Sequence, residues 1–386
     1  MFDIHVLALD ATRKGGAGVY TTRLIAELAR RGHRVTLVCH EATPDVKAAA
    51  TVHEIPRVPS ARPFGLWRLS SFLQLRDYDA MLRALPLGRA DMVIGSAQPL
   101  AWAYARQFPD VPMVYLPHSL VAPLELASYG YPSRVQRLAA VRAYHYLERD
   151  CLRRARTTIR FTRAAAAAFA SHYGARLAQR IAVLPMPIDV PSGGRTPRTG
   201  APRLLLVGRL IESKNVGFLV ELLARQAGLP WTLDVVGSGP LLEPLRSAVH
   251  AHGLDARITF HGHRDDVAGF YRNADAFVFP SLLENSPVVL LEAMSHALPT
   301  LSFHPDGVRI HGANHEIVEH GVTGLLARDE RQFEALLADL LNGDADLAGM
   351  GAAAQRAVLG RNSWGEHVAR IESLVASTPQ LDRAAA

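Results

Sequence analysis

Cysteine is nearly absent: the 386 residues hold two, Cys39 and Cys151, far apart and in no C-x-x-C pair. A disulfide framework or a structural zinc site is therefore not expected, and a reducing compartment fits. No stretch reaches the ~18 uninterrupted apolar residues of a membrane-spanning helix. The opening MFDIHVLALD places acids where a secretory leader would need a basic run and an apolar core, so a cytoplasmic protein is expected. Lysine is scarce too. It occurs only at Lys14, Lys47 and Lys214, so 39 of the 42 basic residues are arginine. No cluster of metal-ligating residues stands out, and neither a metal nor a cofactor is expected.

What is present describes a folded chain, 49% hydrophobic and 20% charged, long enough for two cores of ordinary domain size. The net charge of +6 hides an asymmetry. Residues 1–196 hold 26 Lys and Arg against 14 Asp and Glu, a balance of +12; residues 197–386 hold 16 against 22, a balance of −6. Much of the excess is Arg134, Arg137, Arg142, Arg149, Arg153, Arg154, Arg156, Arg160 and Arg163. Leu138, Val141, Tyr144, Leu147, Cys151, Leu152 and Ala155 recur between them at helical spacing, which predicts an amphipathic helix with a cationic face. Such a face is either solvated or docked on an anionic membrane or acidic acceptor. Nucleic acid is the weaker reading, because the arginines are not expected to be interleaved with exposed aromatics and no known binding motif surrounds them.

Short apolar strands alternate with amphipathic helices. Ile4–Leu9, Val35–Cys39, Met92–Gly95 and Met113–Leu116 read as strands, Gly15–Gly18 as a glycine loop and Val19–Arg31 as a helix. PSGGRTPRTGAP, residues 191–202, has lost periodicity and reads as a linker. The alternation then restarts at Arg203–Val207, Thr232–Val236, Ile258–Phe260, Ala276–Phe279 and Pro299–Phe303. The pattern predicts an α/β protein of two doubly wound Rossmann-like domains, 1–190 and 203–361, facing across a cleft. A last helix is expected in 362–386, crossing back to the first domain. Ligands of such sheets bind at strand C-termini, at the switch point in strand order.

Residues at those strand ends carry the candidate chemistry. In FPSLLENSPVVLLEAMSHALP, residues 279–299, Glu284 and Glu292 stand eight apart across a loop that becomes a helix, with Pro287 fit for its first turn and Glu292 about two turns along. They either cap and pair locally or hold a polyhydroxy ligand. GRLIESKN sets Arg209 and Lys214 on a loop entering a helix, where a planar fork and a rotatable ammonium suit a diphosphate. VVGSGP, with Gly237, is a plain turn or a close backbone approach to a ligand, and Gly15 and Gly16 hold the matching place in the first domain. His118, ending MVYLPHSL, is either a satisfied structural residue or a group at the reaction centre.

Taken together and in order, these segments resemble the family 4 retaining glycosyltransferases of GT-B fold over nearly the whole chain. GGAGVYTTRLIAELARRGHRVTLV is similar to the family's opening, GRLIESKN to its diphosphate clamp, VVGSGPLLEPLRSAVHAHGLDARITFHGH to its second nucleotide segment, and ENSPVVLLEAM to its E-x7-E signature. The sequence departs from the family pattern at Asn285-Ser286-Pro287, at Ala297 where a glycine is usual, and at Met186-Pro187. It departs again in the DGVRIH run of the last loop, which matches at Gly312, Glu316, Gly321 and Gly324.

The resemblance implies a nucleotide-sugar donor with roles residue by residue. Gly15 and Gly16 would let the first domain approach the diphosphate, which Arg209 and Lys214 would neutralise. Glu284 would hold donor-sugar hydroxyls, helped by backbone N–H groups near Asn285, Ser286 and Pro287, while Glu292 would bind the ribose. His118 would sit beside the anomeric carbon, and Gly237, Gly262 and His263 would lie along the nucleotide. A sugar, lipid-linked or other acceptor, with Tyr115, His118 and Tyr129 lining its pocket, and peripheral contact with an anionic membrane complete the expectation; nucleic acid is not an expected partner. The rival readings are a nucleotide-sugar 2-epimerase on the same scaffold, and an inactive subunit that binds the sugar nucleotide.

Overall fold

The computed structural model describes residues 1–12, 15–58, 67–118, 134–189, 191, 200–343, 345–359 and 363–377. Met1–Pro185 with Trp364–Ala386 forms one compact unit and Met186–Ser363 a second. The expected boundaries at 190 and 361 thus shift to 185 and 363, and most of the expected linker lies outside the described residues.

The first unit is built on seven parallel strands: β1 (Asp3–Leu7), β2 (Arg34–Cys39), β3 (Thr51–Glu54), β4 (Met92–Gly95), β5 (Met113–Tyr115), β6 (Thr157–Arg160) and β7 (Ile181–Val183). Their order is β3-β2-β1-β4-β5-β6-β7. The second unit has β8 (Arg203–Val207), β9 (Thr232–Val236), β10 (Ile258–Gly262), β11 (Ala276–Phe279), β12 (Thr300–Phe303) and β13 (Gly324–Ala327), all parallel in the order β10-β9-β8-β11-β12-β13. Both sheets start centrally, wind outwards and return to the other side of their first strand. This is the doubly wound arrangement, with one switch point per sheet.

The central strands are continuous apolar runs because helices cover both faces; MVIG of β4 and AFVF of β11 are buried at every residue. Leu204, Leu206, Val220, Leu223, Trp231, Phe303 and Phe333 pack in the second core, and Tyr104, Cys151 and Phe169 in the first. Asp234 in β9 ties its neighbours by side chain, accepting from Arg203 of β8 and from His261 of β10 at 2.6 Å.

Several expectations are corrected. The glycines at 15–18 are not a loop but the first turn of helix α1 (Gly15–Arg30). The helix can begin so early because Gly18 lies on the Thr12 carbonyl, where a Cβ would sit 2.4 Å from the oxygen. The arginine-rich helix α2 spans Arg134–Arg154 and stops there. Arg156, Arg160 and Arg163 lie beyond it, since the chain turns at Ala155 into β6. Arg160 is wholly buried, donating to the Pro117 carbonyl at 2.7 Å with its guanidinium 4.0 Å from the Phe169 ring centre. Leu147, Cys151, Leu152 and Ala155 form the buried stripe, but Leu138 and Tyr144 are exposed. Tyr115, expected beside the acceptor, is wholly buried in the core, and Tyr129 lies outside the described residues.

Helix α3 (Val216–Arg225) follows β8, and α4 (Val288–Ser295) follows β11. The last helix, α5 (Trp364–Ser377), joins the first unit and packs along α1. Glu372 takes two bonds from Arg31, at 2.9 and 2.7 Å, and one from His33 at 2.7 Å, while Tyr20 of α1 is hydrogen-bonded to His367 at 2.7 Å. Among the described residues no helix is long and apolar enough to cross a membrane.

Candidate functional site

In the second unit β8 and β11 are neighbours, and the chain leaves each at the switch point where the sheet reverses direction. The loop after β8 carries Arg209 and Lys214; the loop after β11 carries Glu284. A main-chain bond from Leu282 N–H to the Ser213 carbonyl, 2.8 Å, and a 3.1 Å bond from the Ser281 hydroxyl to the same carbonyl stitch the loops together. On the other side the Glu284 N–H donates to the His311 carbonyl at 2.9 Å, and Gly312 lies so close that a Cβ would stand 2.8 Å from the Glu284 oxygen. Glu284 is thus fixed by its backbone from two sides.

Seventy residues apart in sequence, the Lys214 ammonium and the Glu284 carboxylate form an ion pair. The ammonium also lies 5.3 Å from the ring centre of Phe279, the last residue of β11, and neither partner is freely exposed. Lys214 ends a single 3-10 turn, Glu212–Lys214, and Asn215, in the left-handed region at φ 54, redirects the chain into α3. Arg209 is exposed, and among the described residues no acid pairs with it. The loop therefore offers one cation held against an acid and one open to solvent.

Backbone fills in the rest of this face. Gly237, at φ 143, is pressed against the β8 loop: a Cβ there would sit 1.9 Å from the Gly208 oxygen. Gly208 N–H donates to Val236, Leu210 N–H to Ser238, and Gly237 N–H to Gly262 at 2.8 Å, so three successive loops lie edge to edge. Gly237 and Gly262 are therefore close-packing and turn residues before any ligand is considered. The His263 side chain is largely exposed, 3.3 Å from Asp265.

Pro287 precedes α4 rather than opening it: its ψ of 93° is extended, so the helix starts at Val288. Glu292 consequently stands little more than one turn into the helix, not two. Asn285 and Ser286 are half-buried in the approach. The Glu292 carboxyl accepts from the Tyr271 hydroxyl at 2.8 Å, and burial lifts it above the usual carboxylate range despite that bond. Ala297, where a glycine was the expected family residue, does adopt a glycine-like backbone, at φ 57.

The first unit brings its candidates to the ends of β1 and β5. Gly15 and Gly16 open α1, and Lys14 lies outside the described residues. His118 follows the end of β5 by three residues rather than ending the strand, and its ring meets Tyr20 of α1 edge-on at 5.4 Å and Phe161 at 6.0 Å. Burial, seconded by the Arg160 charge, lowers its pKa to about 4, so it is a neutral imidazole near pH 7. Tyr20 is packed in turn against Trp364 and His367 of α5. Sequence reasoning missed Tyr20, His367 and Tyr271, and missed the contact of the Phe279 ring with Lys214. Each is an aromatic or histidine in an apolar run, and only the contact itself distinguishes it from core.

Comparison with known proteins bears on the same two units. A family model described as Glycosyltransferase Family 4 matches residues 14–191, and one described as Glycosyl transferases group 1 matches residues 201–343. The amylovoran biosynthesis glycosyltransferase AmsK of Erwinia amylovora is 30% identical over 179 residues, covering 43% of this chain and only 42% of its own length. Glycogen synthase of Mycobacterium tuberculosis is 28% identical over 383 residues, covering 91% of this chain and 88% of its own. Among solved structures, sucrose-phosphate synthase from Thermosynechococcus elongatus superposes with a TM-score of 0.77 at 17% identity, over 97% of this chain and 98% of that one. Anabaena HepE in complex with UDP and glucose gives 0.73 at 19% identity, over 98% and 100%. With one family model lying over each doubly wound sheet, the chain belongs to family 4 of the glycosyltransferases and has their GT-B fold.

Proposed function

We propose that the chain is a retaining hexosyltransferase that moves a sugar from a nucleoside-diphosphate donor, a UDP-sugar favoured, to an acceptor hydroxyl. The observation that carries this reading is the meeting of Lys214 and Glu284 at the switch point of the second sheet. A diphosphate arriving there shares the three donors of the ammonium with Glu284 and meets the open guanidinium of Arg209. Glu284 then faces the sugar, whose hydroxyls it accepts along with backbone N–H groups around Asn285, Ser286 and Pro287. The base lies along Gly237, Gly262 and His263.

The chemistry follows from where charge moves. The bond from the anomeric carbon to the diphosphate breaks, and its electron pair leaves with the diphosphate. The acceptor oxygen bonds to that carbon on the same face, and its proton passes to the departing phosphate oxygen. Positive charge grows on the ring and negative charge on the leaving group, so fixed cations favour the transition state over the ground state. HepE in complex with UDP-glucose and the pneumococcal O-GlcNAc transferase GtfA in complex with UDP and GlcNAc favour a uridine donor. The names of the relatives, two amylovoran biosynthesis glycosyltransferases and a glycogen synthase, favour work in polysaccharide synthesis.

An exposed stripe of α2 supports an acceptor at an anionic membrane. Leu138, Arg142, Tyr146, Arg149 and Arg153 recur at helical spacing and all face solvent, with Tyr146 at 58% exposure; Asp150 is paired with Arg154 to one side. Cations flanking an aromatic and an aliphatic residue match a lipid headgroup layer. Flotation with anionic liposomes tests this: reversing Arg142, Arg149 and Arg153 is expected to abolish it, and unchanged flotation ends the idea. The donor reading is tested by screening purified protein against UDP-, GDP- and ADP-sugars for released nucleoside diphosphate. Binding and hydrolysis of none of them contradicts it.

A further inference from the structure

Glu292 is held in a way that the E-x7-E spacing does not reveal. Its Oε2 accepts from the hydroxyl of Tyr271 at 2.8 Å, and among the described residues no second donor reaches its carboxylate. Tyr271 lies on the short helix Ala268–Asn273 that leads into β11 and is 1% exposed. Its ring stacks on His296 at 5.1 Å and 22°, and packs against Phe277 at 5.9 Å. His296 is itself anchored, its Nδ1 lying 2.9 Å from the Glu292 carbonyl. The phenol therefore cannot swing away without unstacking a buried ring pair. Burial keeps Tyr271 protonated far beyond neutral pH, so it acts as donor and Glu292 as acceptor.

A deep carboxylate ordinarily accepts two or three hydrogen bonds, and this one has a single neutral donor on one oxygen. Its other oxygen is left to a donor from outside the protein. A cation would be the obvious complement for an isolated acid, but the cations of this face, Lys214 and Arg209, are on the β8 loop, and Lys214 already pairs with Glu284. With a phenol as the existing partner and the cations of this face held on the β8 loop, the remaining oxygen suits neutral hydroxyls better than an ammonium. The ribose, which the family resemblance already assigns to Glu292, supplies such neutral donors set back from the phosphates.

We propose that Tyr271 is a positioning residue for ribose recognition: it clamps one oxygen of Glu292 so that the other is fixed to accept a ribose hydroxyl of the donor nucleotide. The inference rests on the reading of this unit as the nucleotide-sugar site, and adds to it the residue that sets discrimination between ribo- and deoxyribonucleotides. A carboxylate free to rotate would accept equally well from water in place of the missing hydroxyl, and the discrimination would be blunted.

The test is calorimetric titration of full-length wild type, Tyr271→Phe and Glu292→Gln with UDP and GDP and with the 2′-deoxy and 3′-deoxy forms of each. Wild type is expected to bind one ribonucleotide about 10-fold to 100-fold more tightly than at least one of its deoxy forms, the range for a hydrogen bond to a charged group. In Tyr271→Phe, which keeps the buried ring, the ratio is expected to fall to about threefold or less. KM for the nucleotide sugar rises while kcat at saturation stays within about twofold, and thermal melting confirms folding. Should Tyr271→Phe melt early, discrimination in Glu292→Gln carries the decision: retention of the wild-type ratio there overturns the proposal. Wild-type discrimination that survives in Tyr271→Phe overturns the positioning role while leaving the nucleotide site standing. Binding of neither nucleotide by wild type instead removes the underlying reading.

Discussion

The two sheets share one winding pattern, yet they present their chemistry in different currencies. In the second unit the neighbouring strands β8 and β11 end in loops whose charged side chains touch: Lys214 and Glu284 are paired, stitched by Ser213 and Ser281 and backed by the Phe279 ring. In the first unit the candidates are a glycine turn and a neutral imidazole, Gly15 and Gly16 at the start of α1 and His118 against Tyr20. Charge sits where a charged leaving group would be held, and neutral groups sit in the other unit, with its aromatic cluster of Tyr20, Phe161, Trp364 and His367. One winding can carry either kind of site, because the loops beyond the strand ends are free to differ while the sheet beneath is not.

The sharpest way to break this contrast is to remove charge from the second unit. Lys214→Ala is expected to lower kcat/KM for the donor roughly 10³-fold with the fold intact by circular dichroism, the loss typical of removing one preorganised transition-state contact. Lys214→Arg is expected to restore little, since a planar fork does not fit between the Phe279 ring and Glu284. A Lys214→Ala enzyme within about fivefold of wild type would mean that the ion pair is structural.

The first unit is expected to fail by the opposite route, through gaining charge. His118 and His367 are both held neutral by burial, with pKa values lowered to about 4. The unfolded chain takes up these protons at a pKa of ~6.5, before the folded unit does, so stability rises with pH between the two values and is lost as pH falls from about 6.5 towards 4. Each histidine accounts for on the order of 3 kcal/mol over that window. Acid titration of tryptophan fluorescence is the check, with His367→Gln expected to flatten the first-unit transition. A slope unchanged by that substitution would show that other groups govern it.

How much of this was legible in the sequence differs between the units for a physical reason. Strands of the second unit, Arg203–Val207, Thr232–Val236 and Ala276–Phe279, are apolar runs stopped by glycine or proline, and their limits are read correctly to the residue. The nearness of the loop of Arg209 and Lys214 to the Glu284 loop is legible as a switch-point site, but the direct ion pair of Lys214 with Glu284 is not, since the family resemblance gives the two side chains to opposite ends of a donor. The glycines at 15–18 mislead, since in isolation four small residues signal a loop and only the close approach of Gly18 to Thr12 makes them a helix start. Arg160 misleads similarly, an arginine at helical spacing that a change of period buries in β6. Tyr271 is silent because a hydroxyl on one buried ring looks like core until its partner is seen.

A smaller effect sharpens the comparison at the backbone. Ala297 holds a left-handed conformation, φ 57, just after α4, and Ala297→Gly is expected to raise second-unit stability by about 1 kcal/mol by relieving its Cβ. Denaturant unfolding monitors this; no gain would mean that packing around the methyl offsets the strain.

The most direct test of the central claim is a double-mutant cycle on donor turnover with Lys214→Ala, Glu284→Gln and the pair. If the two side chains form one donor-binding unit at the switch point, the double variant is expected to lose far less than the product of the single losses, a coupling above about 1 kcal/mol. Losses that multiply independently would contradict it.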